Sequence, residues 1–209
     1  DNKAVENKYY PEMQQLLLKM TGAQKVMIFD HTIRKTGATS MNARQPGSLA
    51  TPVGRVHCDY TDRSGRIRLG QLLREAGALS IDDPSMVHHF IKQRYAFINV
   101  WRSIDPENPI MQSPLAVSDA RSFSEDDVEI YEMQFPERVG ENYAAQFSKN
   151  HRWAYFPKMN HDECLVFKVF DSEENSPSRF VFHTAFDDPR TPSSAPPRHS
   201  IEARCIVFF

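Results

Sequence analysis

The chain has 209 residues and a formal net charge of −2, from 25 lysines and arginines against 27 aspartates and glutamates. This length can bury a hydrophobic core, and 40% hydrophobic with 11% aromatic residues is typical of a folded globular protein. No basic tract predicts binding to nucleic acid or to an anionic membrane surface, and no apolar run is long enough for a transmembrane helix.

The N-terminal part predicts a helix, a strand and a long loop. Residues 11–22 (PEMQQLLLKMTG) place a proline at a helix start and a glycine at its end. Residues 25–35 (KVMIFDHTIRK) alternate and are rich in β-forming side chains, which predicts a strand. Residues 36–53 are small, polar and without period. A loop of that length in a compact domain is usually functional or mobile, so its length and composition make it a candidate lid.

Two more helices are expected before residue 95. Residues 63–77 (RSGRIRLGQLLREAG) carry Ile67, Leu69, Leu72 and Leu73 on a predicted apolar stripe. Residues 82–94 (DDPSMVHHFIKQR) begin with an aspartate cap followed by a proline.

From Tyr95 onward, short β-branched and aromatic runs alternate with turn residues. Seven of them are predicted strands: YAFINVWRSI, PLAVSDA, DVEIYEMQF, HRWAYFPKM, CLVFKVFDS, RFVFHTAF and HSIEARCIVFF. Strands at this spacing indicate an antiparallel sandwich, jelly roll or barrel. We therefore expect one mainly β domain over residues 1–209, with helices at its flanks.

The segment VHCDYT holds His57 and Asp59 two positions apart. On a strand such residues project to the same face, and His183 from RFVFHTAF can join them from a distant strand. Two neutral imidazoles and one carboxylate suit ferrous iron and leave adjacent positions open. Neither motif is specific by itself. His57 and Asp59 could equally lie in a surface turn, and His183 could be an ordinary histidine packed in the core or at a strand end.

A candidate anion site follows in PRHSIEARCIVFF. Arg198, Ser200 and Arg204 share parity, so on a strand they point to one face. The planar fork of arginine matches a carboxylate, and a serine hydroxyl adds a donor. A dicarboxylate that chelates a metal at its other end would fit this face. The alternative is that Arg198 and Arg204 pair with Glu202 or with surface acids.

Together, these positions resemble the HxD…H and R-x-S pattern of Fe(II)/2-oxoglutarate-dependent oxygenases, whose fold is a double-stranded β-helix (jelly roll). A closer resemblance is to a mainly fungal group of secondary-metabolite hydroxylases and desaturases. That group includes proteins of the aspergillic acid, cercosporin and gibberellin pathways and is related to the cephamycin 7α-methoxylase small component. The likeness runs through FDHTIR, VHCDYT, NVWRSI, PLAVSDARS, WAYFPKMNHDECLVFKVFDS, FHTAFDDP and PRHSIEARC.

The resemblance implies a jelly-roll core that binds Fe(II) through His57, Asp59 and His183. It also implies 2-oxoglutarate as cosubstrate, anchored by Arg198 and Ser200 with Arg204 as an alternative or second cation, and O2 as oxidant. The implied reaction hydroxylates or desaturates a small secondary metabolite and converts 2-oxoglutarate to succinate and CO2. Members of the group usually carry more sequence before residue 11, so part of their domain is expected upstream of this chain.

Weaker candidates border the same pocket. Asn99, in NVWRSI, is a possible contact of the cosubstrate, with ordinary packing on that strand as the alternative. His31 is a candidate group that supports a metal ligand or faces the substrate, with a structural role as the alternative. Tyr155 and Lys168 are candidate pocket residues or ordinary strand residues.

The sequence leaves two other functional classes open. A catalytically inactive jelly-roll protein would bind a small molecule without chemistry, and a metal-dependent cupin-type isomerase would leave Arg198 idle. There is no GxSxG, no HExxH and no glycine-rich phosphate loop, which argues against hydrolases and nucleotide-binding proteins. Three cysteines without CxxC spacing predict reduced thiols and a cytoplasmic location. The sequence specifies neither the substrate nor the oligomeric state.

Overall fold

The computed structural model describes residues 2–38, 49–75, 77, 92–134 and 139–209. Its helical elements are α1 (Asn2–Ala4), a π-helical turn (Val5–Tyr9), α2 (Tyr10–Thr21) and α3 (Asp62–Glu75). The strands are β1 (Lys25–Lys35), β2 (Leu49–Ala50), β3 (His57–Cys58), β4 (Tyr95–Ser103), β5 (Leu115–Ser118), β6 (Val128–Gln134), β7 (Val139–Ala145), β8 (Trp153–Tyr155), β9 (Leu165–Asp171), β10 (His183–Ala185) and β11 (His199–Phe208).

The strands form two sheets, as expected for a jelly roll. One has the order β2-β1-β11-β4-β9 and the other the order β6-β7-β3-β10-β5-β8. Only the short β1–β2 pair is parallel among the strand pairs of the described residues. The larger hydrophobic core takes side chains from both sheets, among them Phe97, Trp101, Leu115 and Phe167. The interior between the sheets is therefore where side chains from distant strands meet.

Helix α2 covers the outer face of the five-stranded sheet. Its buried Met13 and Leu17 pack with Val26, Val100 and Cys205 in a second apolar cluster. The predicted glycine stop is confirmed, because Gly22 caps the helix in the left-handed conformation with φ 68°. The helical segment does not begin at Pro11 as expected, but continues upstream through the π-helical turn.

Helix α3 faces the core with its glycines and leucines. Gly65, Leu69, Leu72 and Leu73 are buried, whereas Ile67 is 50% exposed. The prediction for Ile67 was wrong because this residue lies on the opposite side of the helix from Gly65 and Leu69. A Cβ on Gly65 would lie 2.6 Å from Cδ2 of Phe170, so only glycine lets the helix approach β9 this closely.

Some predictions differ from the structure or lie outside it. Strand β7 was not predicted, although it pairs with both β6 and β3. Most of the helix expected over residues 82–94 and the central part of the candidate lid lie outside the described residues. None of the helices that the structure describes has the length and apolar character needed to cross a membrane.

Candidate metal centre

Two histidines meet because their strands are neighbours in the six-stranded sheet. His57 of β3 and His183 of β10 are direct antiparallel partners, so their side chains share one face. Their ring centroids lie 4.3 Å apart. Asp59 follows just after β3, and its Oδ1 is 3.6 Å from Nε2 of His57 and 3.9 Å from Nε2 of His183. One ligand atom from each residue lies within 4.8 Å of the others, close enough for a single ion to contact all three.

Neighbouring groups orient two of these side chains. Nδ1 of His57 lies 2.8 Å from the carbonyl oxygen of Arg55, which accepts its hydrogen, and Nε2 is left toward Asp59. Nδ2 of Asn99 donates to Oδ2 of Asp59 at 2.9 Å, which leaves Oδ1 toward the histidines. Outer contacts of this kind fix the tautomer and direction of metal ligands.

The protonation states also suit a cation. Burial, and then the nearby His57, lower the pKa of His183 to about 4, so its imidazole is neutral at neutral pH. Burial opposes ionisation of Asp59, but His183, Arg204 and His57, with the Asn99 hydrogen bond, lower its pKa to about 2. The neutral imidazole of His183 beside the ionised carboxylate of Asp59 is the state that metal binding requires.

The chain after Asp59 is held by the start of α3. The backbone N–H of Thr61 donates to Oγ of Ser64, and the N–H of Ser64 donates to Oγ1 of Thr61. Both side chains also donate to Glu141 on β7. The reciprocal cap and the β7 contacts fix the segment that carries the metal-site carboxylate.

Cys58 lies between His57 and Asp59 in the sequence but points to the other side. Its fully buried thiol donates to the carbonyl oxygen of Val169 at 3.0 Å, and burial raises its pKa. The alternation of the strand therefore keeps the sulfur apart from the ligand atoms.

A buried cation lies on the facing sheet. Arg198 is 3% exposed, and it donates from Nε to Oγ of Ser200 at 2.9 Å and from Nη1 to the carbonyl oxygen of Ser113 at 2.6 Å. Its guanidinium carbon lies 5.1 Å from the centre of the Trp101 ring. No carboxylate of the described chain forms an ion pair with it. Burial, followed by repulsion from Arg34, lowers the pKa of Arg198 to about 9, against the attraction of Glu202.

Arg204 lies on the same face of β11 but already has counter-ions. Its Nη1 is 2.8 Å from Oδ2 of Asp30, and its Nη2 is 3.1 Å from Oε1 of Glu202. Of the two arginines considered from the sequence, Arg198 is therefore the one with charge left for an anion.

The weaker candidates lie elsewhere. His31 faces α2, where its Nδ1 is 2.8 Å from the hydroxyl of Tyr10. Nζ of Lys168 donates to Oδ2 of Asp171 at 2.6 Å, and the Tyr155 hydroxyl donates to Asp188 at 2.9 Å. These contacts occupy the three side chains in structural roles.

Arg34 was missed from the sequence. Val26 and Ile28 of β1 pack on the outer cluster, but a β-bulge between Ile28 and Asp30 shifts the register. After the shift, Asp30 pairs with Arg204 and Arg34 pairs with Ser200, so both join the inner face. Without the bulge, simple alternation from Val26 would place Asp30 and Arg34 on the outer face, which is why the sequence does not reveal Arg34.

Comparison with known proteins gives consistent matches. A family described as YDMC, Oxidoreductase/YMDC permease-like domain, matches residues 1–208. The Fe(II)/2-oxoglutarate-dependent dioxygenase nvfI of Aspergillus novofumigatus (strain IBT 16806) is 31% identical over 210 residues, covering 100% of this chain and 69% of the relative. The hydroxylase/desaturase efuI of Hormonema carpetanum is 29% identical over 229 residues, covering 100% of this chain and 72% of the relative.

The fold matches a solved structure as well. The iron and alpha-ketoglutarate-dependent endoperoxidase NvfI superposes with a TM-score of 0.84 at 30% identity, covering 100% of this chain and 71% of that chain.

Proposed function

The chain belongs to the family of fungal Fe(II)/2-oxoglutarate-dependent oxygenases, and we propose that His57, Asp59 and His183 hold its ferrous ion. The observation that carries this assignment is the convergence of their ligand atoms within 4.8 Å. Two imidazole nitrogens and one carboxylate oxygen are the donor set that non-haem Fe(II) oxygenases use, with adjacent positions left open.

The second part of the proposal is that Arg198 and Ser200 bind the distal carboxylate of 2-oxoglutarate. Arg198 is buried without a counter-ion in the described chain, and a buried charge is costly until it is paired. When bound, the ferrous ion and 2-oxoglutarate supply an O2-dependent oxidation in which 2-oxoglutarate leaves as succinate and CO2.

The remaining residues bind, orient and exclude water. Asn99 holds the Asp59 carboxylate from the opposite sheet, and its contact with the cosubstrate stays a prediction. The ring of Phe167 lies 4.9 Å from that of His183 and shields one side of it. Trp101 covers one side of the Arg198 guanidinium. An apolar surrounding of this kind protects a reactive site from solvent.

The reaction we propose is hydroxylation or desaturation of a small secondary metabolite. It is supported by the relatives named as dioxygenase and as hydroxylase/desaturase. A cupin-type isomerase would have no use for Arg198, and an inactive binding protein would have no use for the intact ligand set. We further propose that residues 1–209 belong to one oxygenase domain, which extends upstream in the relatives, and that the protein works in the cytoplasm. The free thiols of Cys58, Cys164 and Cys205 support that location.

Anaerobic titration with Fe(II), followed by a succinate assay with O2, 2-oxoglutarate and fungal metabolite extracts, tests the assignment. We expect His57→Ala, Asp59→Ala and His183→Ala to lose iron binding and succinate formation while keeping the fold. His161→Ala, on an exposed loop, is the matched control and should behave as wild type. Unchanged activity in Asp59→Ala would end the iron assignment.

A further inference from the structure

Arg34 is adjacent to the candidate anion site on the neighbouring strand. It is the register partner of Ser200 across the β1–β11 pair, and Ser200 is hydrogen-bonded to Nε of Arg198. Antiparallel partners have Cβ atoms about 4.5–5.5 Å apart on one face of the sheet. The side chains of Arg34, Ser200 and Arg198 therefore start from neighbouring points on the inner face.

The charge of Arg34 is not matched by a carboxylate in the described residues. Its Nη1 donates to the carbonyl oxygen of Thr51 at 2.7 Å, which satisfies one N–H but carries no formal charge. Burial is the main reason its pKa is lowered, and the attraction of Glu202 only partly offsets this. Glu202 itself is bonded to Arg204 at 3.1 Å.

A buried cation (Arg198) and a half-buried cation (Arg34) on the same face of a sheet destabilise each other. Among the neighbouring charges, Arg34 is the main one that lowers the pKa of Arg198, and only the attraction of Glu202 opposes it. Guanidinium groups bind carboxylates through two parallel N–H donors, so one carboxylate can relieve both.

We propose that Arg34 and Arg198, with Ser200 between them, form a two-arginine clamp for the distal carboxylate of 2-oxoglutarate. The inference rests on the proposed function and deepens it, because it adds a residue from another strand to the cosubstrate site. Arg204 is a poorer choice for the second cation of the clamp, because Asp30 and Glu202 already neutralise it.

The test compares two ligands that differ only at the clamped group. In 2-oxopentanoate a methyl group stands in place of the distal carboxylate of 2-oxoglutarate. Dissociation constants for both are measured anaerobically on the Fe(II)-loaded protein, by the visible charge-transfer band of the bound 2-oxo acid and by the thermal shift. The ratio of the two constants reports the distal carboxylate alone, because losses of folding or metal affect both ligands equally.

We expect Arg34→Met to reduce the preference for 2-oxoglutarate by at least about tenfold, from the loss of a charge-assisted hydrogen bond. Arg34→Lys should fall between wild type and Arg34→Met, because it keeps the charge but loses the fork. Lys35→Met removes the same charge from the adjacent, exposed position and should leave the ratio unchanged.

The outcomes separate the two proposals. An unchanged ratio in Arg34→Met, with normal 2-oxoglutarate binding by wild type, overturns the clamp and leaves the proposed function intact. Failure of the wild-type protein to bind 2-oxoglutarate at all would overturn the proposed function itself.

Discussion

Nδ2 of Asn99 donates a 2.9 Å hydrogen bond to Oδ2 of Asp59, and this bond joins the two sheets of the jelly roll at the candidate metal centre. Asn99 comes from β4 of the five-stranded sheet, whereas Asp59 follows β3 of the six-stranded sheet. Oδ1 is thereby left toward His57 and His183. The position of the carboxylate thus depends on the spacing of the sheets as well as on its own strand.

Removing the Asn99 amide should weaken metal binding. We expect Asn99→Ala to lower Fe(II) affinity by about 10–100-fold, the usual effect of losing a hydrogen bond that orients a metal ligand. Anaerobic titration of the two proteins with Fe(II) measures this. Asn108→Ala, in an exposed loop, serves as control. Equal affinities for Asn99→Ala and wild type would remove the positioning role.

Arg198 and Arg204 should respond differently to substitution. We expect Arg198→Ala to raise the 2-oxoglutarate requirement at least about tenfold with little change in iron content. Arg204→Ala leaves Asp30 and Glu202 without their counter-ion, so it should lower the free energy of unfolding by about 1–3 kcal/mol. Cosubstrate titrations and denaturant unfolding measure the two effects, and the reverse pattern would assign the anchor to Arg204.

Helix α3 offers a paired test of packing. Gly65→Ala places a methyl group 2.6 Å from the ring of Phe170, and we expect a loss of about 1–3 kcal/mol in unfolding free energy. At Gly70 the nearest atom is the flexible Nη1 of Arg74 at 3.7 Å. Gly70→Ala should therefore be neutral or stabilise the helix by up to about 1 kcal/mol. Urea unfolding of both variants measures these changes in unfolding free energy. Similar losses of unfolding free energy at the two positions would contradict the close approach of α3 to β9.

Asp171 makes stability depend on pH. Its fully buried carboxylate lies 3.0 Å from Nη2 of Arg94 and 2.6 Å from Nζ of Lys168. Burial alone raises its pKa, but these donors lower it below the ordinary value. Because the pKa is lower in the folded than in the unfolded state, the ion pairs stabilise the fold at neutral pH and this contribution fades as the pH falls through the folded pKa.

We expect Asp171→Asn to reduce the free energy of unfolding by about 1–3 kcal/mol at neutral pH. The difference in unfolding free energy between Asp171→Asn and wild type should become smaller below about pH 4. There the wild-type carboxylate begins to be protonated in the unfolded chain. Urea unfolding over a pH series measures this, and a difference that stays constant into acid would exclude the carboxylate as its source.

The long strands were predictable because their residues have a high intrinsic preference for the β conformation. Strands β1, β4 and β11 match the expected runs to within a residue or two, and each is rich in β-branched or aromatic residues. Strand β7 contains Gly140, Glu141 and Asn142, which disfavour strands. Its conformation comes from pairing with β6 and β3, and that pairing depends on tertiary structure rather than on the local sequence.

In the candidate site, too, some residues can be found from the sequence and others only from the tertiary structure. The HxD spacing and a later histidine are visible in the sequence, and the family resemblance singles out His183 from eight histidines. The ion pairs of Arg204 require the register with Asp30, which no local pattern specifies. Arg34 was hidden because a single bulge residue exchanges the two faces of β1, and the hydrophobic pattern does not mark it.

The position of Cys58, with its thiol in the core and turned away from His57 and Asp59, has a consequence for the durability of the enzyme. Oxygen chemistry threatens nearby sulfur, and oxidation to sulfenic acid proceeds through the thiolate at accessible positions. Cys58 is protonated, enclosed and hydrogen-bonded to Val169 on the far side of its strand. With iron at the proposed centre, turnover would thus take place one residue away from a thiol that is sheltered from oxidation.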